Sequence, residues 1–320
     1  MIELSRLAIA IVAGGRSRER PRSLLSGRTV TASLVKQGFD VQLVDTEQSD
    51  FPATVARKDV AFLTLAGKWG EDGHCQGYLE TLGIPYTGSG VLASALCMDK
   101  KLAKIVLSAA GLKVLPDRVI GGGVDIGQLA EEVRTEFGFP VILKPLAEGG
   151  SIDIMVATRE AELRDAMVAV GADRGEFLVE PFMGSRSFTV GNIACEDGVL
   201  TLPPLEIEPK VQFYDYSAKR NEDLYTYHCP ARLDEELTAQ LRNMARAAHE
   251  TAGCHGLSRV DFVLGPAGPA ILEINTLPGL SAGGNMATMA SVAGIGYDEL
   301  VRLILNTAFT RELSPSTASV

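Results

Sequence analysis

Two continuous apolar runs near the N-terminus predict strands that are buried on both faces of one sheet. Residues 6–13 (RLAIAIVA) form the first run, which two glycines close, and residues 60–66 (VAFLTLA) form the second. Residues 41–44 predict a shorter strand between them, and a helical pattern over 29–37 predicts the connection. Residues 1–94 are therefore predicted to form an α/β domain of the βαβ type. No GxGxxG motif opens this domain, which argues against a dinucleotide-dependent dehydrogenase.

The pattern becomes helical from residue 91 and continues to residue 110, where Gly111 is expected to end the helix. A smaller α/β unit follows, and we predict a central domain over residues 95–184. Its expected elements are a strand at 139–146, a helix at about 159–170 and a strand that ends with Glu180, Pro181, Phe182 and Met183.

A third segment, 185–312, alternates strands with one long helix. Its expected elements are strands at about 187–194 and 199–207, an irregular stretch over 209–230, a helix at about 234–252 and a closing hairpin. Residues 313–320 (LSPSTASV) predict a flexible tail. The whole pattern predicts an α/β chain, α+β in part, with three domains and a short tail.

Composition and charge exclude several classes of protein. The 30 Lys and Arg residues against 40 Asp and Glu residues give a formal net charge of −10, which argues against a nucleic-acid or anionic-membrane binder. The five cysteines form no CxxC or CxxH group, so neither a disulfide framework nor a zinc site is indicated. The first residues do not resemble an export signal, and we expect a cytoplasmic protein.

Residues 258–279 predict a β-hairpin with two carboxylates on one face. A turn centred on Ala267 places polar residues opposite one another in two pairs, Asp261 with Glu273 and Arg259 with Asn275. Adjacent carboxylates repel unless a cation lies between them, and oxygen ligands suit Mg²⁺ or Mn²⁺ better than zinc. The alternative is a solvated strand face without a ligand. Against it stands the apolar set expected on the opposite face: Val260, Phe262, Leu272 and Ile274.

Lysines and a glycine loop elsewhere are candidate phosphate binders. Lys144 ends a predicted strand, and residues 148–151 (EGGS) follow as a small loop whose N–H groups could close over phosphate oxygens. This is not a Walker A loop, because the lysine precedes the glycines. Lys100 and Lys219 are further candidates, although each taken alone is more simply an ordinary lysine.

Five motifs together resemble the D-alanine–D-alanine ligase family of ATP-grasp carboxylate–amine ligases. The similarity runs from about residue 7 to residue 306. The motifs are 13–19 (AGGRSRE), 70–73 (GEDG), 98–100 (MDK), 214–219 (YDYSAK) and 272–279 (LEINTLPG). The resemblance implies a three-domain ATP-grasp fold with an N-terminal Rossmann-like preATP-grasp domain, and ATP bound between the central and C-terminal domains.

The resemblance also implies which residues bind the cofactors. The phosphates of ATP would be held by Lys100, Lys144, Ser151 and Lys219. The adenine would lie against the hinge of Glu180, Pro181, Phe182 and Met183. Two magnesium ions, or manganese ions, would be held by Asp261, Glu273 and Asn275.

The same resemblance implies an acyl phosphate intermediate that an amine attacks, with an amide, ADP and phosphate as products. Arg259 and the backbone N–H of Gly279 would stabilise the oxyanion. Glu19 would hold the ammonium group of the first amino acid. The implied partners are ATP, a small amino acid or amine, and a second copy of the chain in a homodimer.

The chain departs from the family pattern on the amino-acid side of the site. Ala66 stands where the family usually has histidine, Gly150 where it has serine, and Arg220 where it has tyrosine. After Gly279 the sequence over 280–285 (LSAGGN) also differs, and the candidate there for binding the second substrate is Ser281. In addition, Ser187 replaces a glutamate expected near the ribose.

These departures predict altered specificity, because they change hydrogen-bond partners that discriminate small polar substrates. We expect substrate contacts from Ser151, Arg220 and Ser281, a pairing of Arg220 with Glu19, and a non-standard amino-acid substrate in specialised metabolism. One alternative is a genuine D-alanine–D-alanine ligase of peptidoglycan synthesis. Another is a nucleotide-binding pseudoenzyme, against which the intact hairpin set argues.

Overall fold

The computed structural model describes residues 7–121, 124–147, 149–150, 153–170, 175–184, 186–210 and 224–311. Three predicted site residues, Ser151, Lys219 and Arg220, lie outside the described residues, as does the predicted tail. Among the described residues, no helix combines the length and apolar character needed to cross a bilayer.

The first part of the chain forms a three-stranded parallel sheet with helices between its strands. In chain order the elements are β1 (Ala8–Ala13), α1 (Arg20–Lys36), β2 (Asp40–Asp45), α2 (Phe51–Val55), β3 (Val60–Leu63) and α3 (His74–Leu82). The sheet order is β2-β1-β3, and the βαβ prediction is confirmed. The helix predicted over 29–37 is the second half of α1, which begins earlier because Pro21 occupies its first turn.

Two helices follow where one was predicted. They are α4 (Val91–Met98) and α5 (Lys100–Ala109), and they meet at Asp99. Asp99 has extended backbone angles, and its side chain accepts a hydrogen bond from the N–H of Leu102 at 2.9 Å. Asp99 is therefore the N-cap of α5, and the prediction of an unbroken helix to residue 110 is wrong.

The central part of the chain is a four-stranded antiparallel sheet with two helices. Its elements are β4 (Arg118–Ile120), α6 (Ile126–Glu136), β5 (Val141–Pro145), β6 (Met155–Ala157), α7 (Glu160–Val170) and β7 (Phe177–Pro181). The strand order is β4-β7-β5-β6. Leu129 and Val133 of α6 and Leu163 of α7 are buried in one cluster with residues of the sheet.

The last part contains a six-stranded antiparallel sheet and three helices. Its elements are β8 (Ser187–Cys195), β9 (Gly198–Thr201), β10 (Leu205–Pro209), β11 (Tyr225–His228), α8 (Glu235–Thr251), β12 (Leu257–Gly265), β13 (Gly268–Asn275), α9 (Asn285–Val292) and α10 (Tyr297–Asn306). The order is β11-β10-β8-β12-β13, with β9 also paired to β8. The strand predicted over 199–207 is wrong, because Pro203 and Pro204 separate β9 from β10. The stretch predicted to be irregular contains β11.

One hydrophobic core joins the two ends of the chain. Ile9 and Phe62 of the parallel sheet are fully buried in the same cluster as Leu300 and Ile304 of α10. At the edge of this contact, Asp298 accepts hydrogen bonds from Ser33 Oγ at 2.8 Å and Lys36 Nζ at 2.6 Å. The predicted domain boundaries at residues 94 and 184 stay a prediction.

A buried histidine in this fold makes stability depend on pH. His249 of α8 is 2% exposed, and its Nδ1 lies 2.8 Å from Ser258 Oγ. Burial, with a smaller effect of the charge of His255, lowers the pKa of His249 from 6.5 to about 4. On acidification, His249 is therefore protonated in the unfolded chain at a higher pH than in the folded chain. The stability that comes from keeping His249 neutral is fully present above pH 6.5 and is lost as the pH falls towards 4.

As the pH falls from 7 to 5, we expect the titration of His249 to lower the free energy of unfolding by about 2 kcal/mol. The measurement is urea unfolding at both pH values for the wild type and for His249→Asn, which keeps a hydrogen-bonding side chain but does not titrate. The variant is expected to be less stable at pH 7 and to lose less stability on acidification. An equal loss of stability between pH 7 and pH 5 in the wild type and in His249→Asn would contradict the role given to His249.

Candidate active site

The hairpin of β12 and β13 has the predicted pairing at its polar end. Asp261 lies opposite Glu273, and Arg259 lies opposite Asn275. The register shifts between Asp261 and Phe262, and the strands close at the turn with Gly265 paired to Gly268. The shift places one extra residue in β13, which is a β-bulge.

The bulge changes the position of Leu272. Its predicted place beside Phe262 in the apolar face is wrong, since Leu272 packs instead against the cluster that contains Leu115, Val263 and Ala270. Met183 packs against the same cluster. The bulge therefore brings an apolar side chain of the hairpin to the end of the segment predicted to hold adenine.

Arg259 and Asp261 form a two-point ion pair beside the cavity. Arg259 Nε donates to Asp261 Oδ1 and Nη2 donates to Oδ2, both at 2.9 Å. Thr189 Oγ1 also donates to Oδ1 at 2.6 Å. Burial alone would lower the pKa of Arg259, but the charge of Asp261 outweighs it and raises the pKa above its usual value. Arg259 is therefore a permanent cation at the site.

Glu273 lies beside this pair and has its own cationic neighbour. Lys100 Nζ, at the start of α5, is 3.7 Å from Glu273 Oε2. Asn275 Nδ2 donates to Asp261 Oδ2 at 3.2 Å. The two predicted carboxylates, the amide and the predicted phosphate-binding lysine thus come together at one place.

The donor set on the hairpin fits a hard divalent cation. Asp261, Glu273 and Asn275 all line one cavity of about 90 Å³. In the part of the chain that the structure describes, no group of three or more His, Cys, Asp or Glu side chains is arranged to hold a metal ion. A cation here would therefore be held by two carboxylates and an amide oxygen, with further oxygens from a ligand, which is the way Mg²⁺ is usually bound beside phosphates.

Two more carboxyl groups line the same cavity. Glu19 and Glu71 both line it, together with Ala66. Glu71 accepts a hydrogen bond from the N–H of Gly67 at 2.6 Å. Burial, and then the nearby charge of Glu19, raise the pKa of Glu71 to about 8. Glu71 is therefore expected to be largely protonated at neutral pH and able to donate a hydrogen bond.

Two residues of the glycine loop after β5, Gly149 and Gly150, pack directly on Glu19, which is 7% exposed. A Cβ atom on Gly149 would lie 2.4 Å from Glu19 Oε2, and one on Gly150 would lie 2.8 Å from Oε1. Gly150 also has a φ of +69°, which side-chain-bearing residues rarely adopt. A side chain at position 150 would therefore strain the backbone and displace the Glu19 carboxylate.

This contact predicts the effect of adding one methyl group. Gly149→Ala displaces either the loop or the Glu19 carboxylate, and we expect kcat/KM to fall about 10- to 100-fold because misplacement by about 1 Å has effects of that size. Gly296→Ala is the matched control, since nothing lies within 4 Å of its Cβ position. Steady-state kinetics check the prediction, and equal kinetics in the two variants would contradict it.

Glu180 is fully buried between two lysines. Its Oε1 accepts from Lys104 Nζ, and its Oε2 accepts from Lys144 Nζ at 2.6 Å. Asp117 Oδ1 lies 3.1 Å from Lys104 Nζ. Burial alone would raise the pKa of Glu180, but the charges of Lys144 and Lys104 outweigh it and hold the pKa below its usual value. The network fixes Lys144, the predicted phosphate binder, at the end of β5.

The rest of the predicted adenine hinge follows β7. Pro181 ends that strand, and the N–H of Phe182 donates to Pro140 O at 2.9 Å. The side chain of Glu180 is directed into the lysine network, so its backbone is the part of this residue left for a hinge contact. The adenine assignment for Glu180 to Met183 stays a prediction.

The segment after the hairpin brings a different residue to the cavity than predicted. Gly279 lines the cavity, and the next residue, Leu280, donates its N–H to Ser26 Oγ at 3.1 Å. Ser281 is absent from the described cavity lining, whereas Asn285, the first residue of α9, is part of it. Asn285 is therefore the better candidate for a contact with the second substrate.

Four residues at the site escaped the sequence prediction: Arg22, Glu71, Lys104 and Asn285. Arg22 lines the cavity, and its Nη1 lies 3.6 Å from Glu19 Oε1. The signal for Arg22 was its spacing of three residues from Glu19 at the start of a helix, and that for Glu71 was its place in the GEDG motif. No local signal marks Lys104 or Asn285. The predicted pairing of Arg220 with Glu19 lies outside the described residues.

Comparison with protein families identifies two matching regions. A family described as D-ala D-ala ligase C-terminus matches residues 106–306, and one described as D-ala D-ala ligase N-terminus matches residues 44–89. Together they include the hairpin, the glycine loop and the GEDG motif.

Relatives match nearly the whole chain. A D-alanine–D-alanine ligase of Anaeromyxobacter sp. (strain Fw109-5) is 40% identical over 307 residues, which is 94% of this chain and 96% of the relative. One of Geotalea uraniireducens is 41% identical over 309 residues, or 96% of this chain and 97% of the relative.

Solved structures agree with this relationship. The D-alanine–D-alanine ligase of Bacillus anthracis, in a complex with ATP, matches with a TM-score of 0.81 and 26% identity, over 95% of this chain and 98% of that one. The VanG D-Ala:D-Ser ligase of Enterococcus faecalis matches with a TM-score of 0.80 and 25% identity, over 94% of this chain and 98% of that one. The chain belongs to the D-alanine–D-alanine ligase family, whose members have the ATP-grasp fold and form carbon–nitrogen bonds.

Proposed function

We propose that the chain is an ATP-dependent D-alanine–D-alanine ligase. The observation that carries this proposal is the single cavity lined by Asp261, Glu273, Asn275, Arg259 and Glu19. The relatives at about 40% identity over nearly the full chain carry the name of this activity and support it. The changed specificity inferred from the sequence departures has no support among these relatives, and the alternative of a genuine D-alanine–D-alanine ligase fits them better.

In the proposed reaction, a carboxylate oxygen of the first amino acid attacks the γ-phosphorus of ATP and the bond to ADP breaks. Mg²⁺ held by Asp261, Glu273 and Asn275 would neutralise phosphate charge during this transfer. Lys100, which lies beside Glu273, and Lys144 would add further positive charge at the phosphates. Glu19, whose carboxylate lies against the glycine loop, would hold the ammonium group.

The second amino acid then attacks the acyl carbon with its amino group. The carbon–nitrogen bond forms, the acyl carbon–oxygen bond breaks, and phosphate leaves with one oxygen of the original carboxylate. The amine gives up a proton as the amide forms. Arg259 and the N–H of Gly279 would stabilise the oxyanion, and Asn285 at the start of α9 would bind the second substrate.

The remaining expectations complete this proposal. We assign the three segments 1–94, 95–184 and 185–312 to the N-terminal, central and C-terminal domains of the ATP-grasp fold. We also expect two magnesium ions per site, a homodimer and a cytoplasmic location. Gel filtration with light scattering tests the dimer, and a mass of about twice the 34.0 kDa of one chain is the expected result.

The test of function is ADP release with ATP, Mg²⁺ and single amino acids or pairs of them, followed by mass spectrometry of the product. D-Alanine is expected to give a dipeptide, and D-serine belongs in the panel because a structural relative carries D-Ser in its name. Activity with another amino acid and none with D-alanine would restore the altered-specificity hypothesis. Nucleotide binding without any amide product would instead favour the pseudoenzyme.

A further inference from the structure

An ion pair joins two loops that are 135 residues apart in the sequence. Arg18 Nη1 lies 3.3 Å from Asp153 Oδ1 and 3.2 Å from Oδ2. Arg18 follows the glycines that end β1, and Asp153 belongs to the connection between β5 and β6. The pair thus links the parallel sheet to the central antiparallel sheet.

Each partner of this pair is close to the contact between Glu19 and the glycine loop. Arg18 immediately precedes Glu19, and Asp153 lies three residues after Gly150. The described residues of the loop, Gly149 and Gly150, bring their backbone so close to the Glu19 carboxylate that a Cβ atom on either would clash with it. Small movements of the loop therefore change the surroundings of Glu19 directly.

The β5 end of the loop is anchored by other contacts, and the ion pair lies beyond its other end, at Asp153. At the β5 end, Lys144 is held by Glu180, and Leu146 O accepts a hydrogen bond from the N–H of Lys100 at 3.3 Å. On the other side, Asp153 has a φ of +56°, a conformation that Asp adopts more readily than most residues. The pair with Arg18 helps to hold this less common backbone geometry.

Both partners are accessible to solvent, since the side chain of Arg18 is 65% exposed and that of Asp153 is 38% exposed. An exposed ion pair has a modest effect, and added salt screens it. Its consequence is therefore expected to be a few-fold change in affinity for the amino acid at Glu19, not a loss of the fold.

We infer that Arg18 and Asp153 are positioning residues that hold the glycine loop against Glu19 and so set the apparent affinity for the amino acid bound there. This inference rests on the proposed function. The ion pair between Arg18 and Asp153 would affect KM, would weaken as the salt concentration rises, and would leave kcat nearly unchanged.

The experiment measures steady-state kinetics with D-alanine for Arg18→Gln and Asp153→Asn. Asparagine tolerates the left-handed conformation as aspartate does, so the second variant removes charge without adding backbone strain. We expect each variant to raise KM for D-alanine roughly two- to fivefold and to change kcat less than about twofold. Arg18→Lys keeps the positive charge and part of the ion pair, so it is expected to raise KM less than Arg18→Gln does.

Three comparisons separate this role from a general structural one. The double variant is expected to resemble either single variant, because the second change removes a contact already lost. Raising NaCl from about 0.05 to 0.5 M is expected to raise KM in the wild type more than in Arg18→Gln. Arg16→Gln is the matched control, since Arg16 belongs to the same loop, is 88% exposed and pairs with Glu47 at 3.0 Å, and it is expected to leave KM unchanged.

Equal KM values for Arg18→Gln and the wild type would overturn the inference, and so would strictly additive effects in the double variant. An equal rise in KM for Arg16→Gln would attribute the effect to surface charge in general and would also overturn it. A wild type that forms no amide from D-alanine refutes the proposed function instead, so the two failures are distinguishable.

Discussion

Asp261→Asn is expected to lower kcat/KM about 10²- to 10³-fold, because it removes one of the two carboxylates that would hold a divalent cation at the transferring phosphate. The same change also takes away the anion that Arg259 contacts at two points. The loss should appear mainly in kcat, since Mg²⁺ would act on charge that develops during phosphoryl transfer and Arg259 on the oxyanion of the second step.

The Asp261 prediction is checked by kinetics over a range of Mg²⁺ concentrations and by calorimetric titration of Mg²⁺ with a non-hydrolysable ATP analogue. Glu273→Gln, which removes the facing carboxylate, is expected to weaken the same titration. Asp298→Asn is the control, because it neutralises a carboxylate that pairs with Lys36 on the surface. Unchanged Mg²⁺ affinity in both hairpin variants would show that the cation binds elsewhere.

Glu180→Gln is expected to lower the free energy of unfolding by about 3 kcal/mol, since the buried charges of Lys144 and Lys104 then lose the carboxylate that they share. Lys104 and Lys144 both contact this carboxylate, which is 0% exposed. Nucleotide affinity should fall as well, because Lys144 loses the contact that fixes it at the end of β5.

Chemical denaturation and nucleotide titration measure the two effects of Glu180→Gln. The matched control is Glu176→Gln, which neutralises an exposed carboxylate next to the start of β7 and should change stability by less than about 0.5 kcal/mol. Combining Glu180→Gln with Lys104→Met should recover part of the stability, because one buried cation is then absent. Similar stabilities for Glu180→Gln and the control would contradict the account of the network.

The sequence predicted best where a short-range pattern determines structure. The alternation in β12 and β13, with a turn between them, was enough to place Asp261 opposite Glu273. The bulge at Leu272 was not predictable in this way, because it depends on how tightly the turn closes. Continuous apolar runs likewise predicted β1 and β3, since a strand covered on both faces needs no polar side.

Long-range contacts at the site left no pattern in the sequence. Lys104 is one of three lysines in the first turns of α5, and only the long-range fold makes it the one that meets Glu180 of β7. Asn285 reaches the cavity because α9 starts there. The prediction of one helix in the last segment missed both α9 and α10, although the amphipathic spacing of Leu300, Val301, Ile304 and Leu305 was a local signal for α10.

The central claim is that a substrate carboxylate attacks the γ-phosphorus of ATP in the cavity of the hairpin. The most direct measurement uses D-alanine labelled with ¹⁸O in its carboxylate, with mass analysis of the phosphate released during ligation. Transfer of one labelled oxygen to each phosphate is the predicted result, because that oxygen leaves with the phosphoryl group. Unlabelled phosphate, with its fourth oxygen taken from water, would contradict the account.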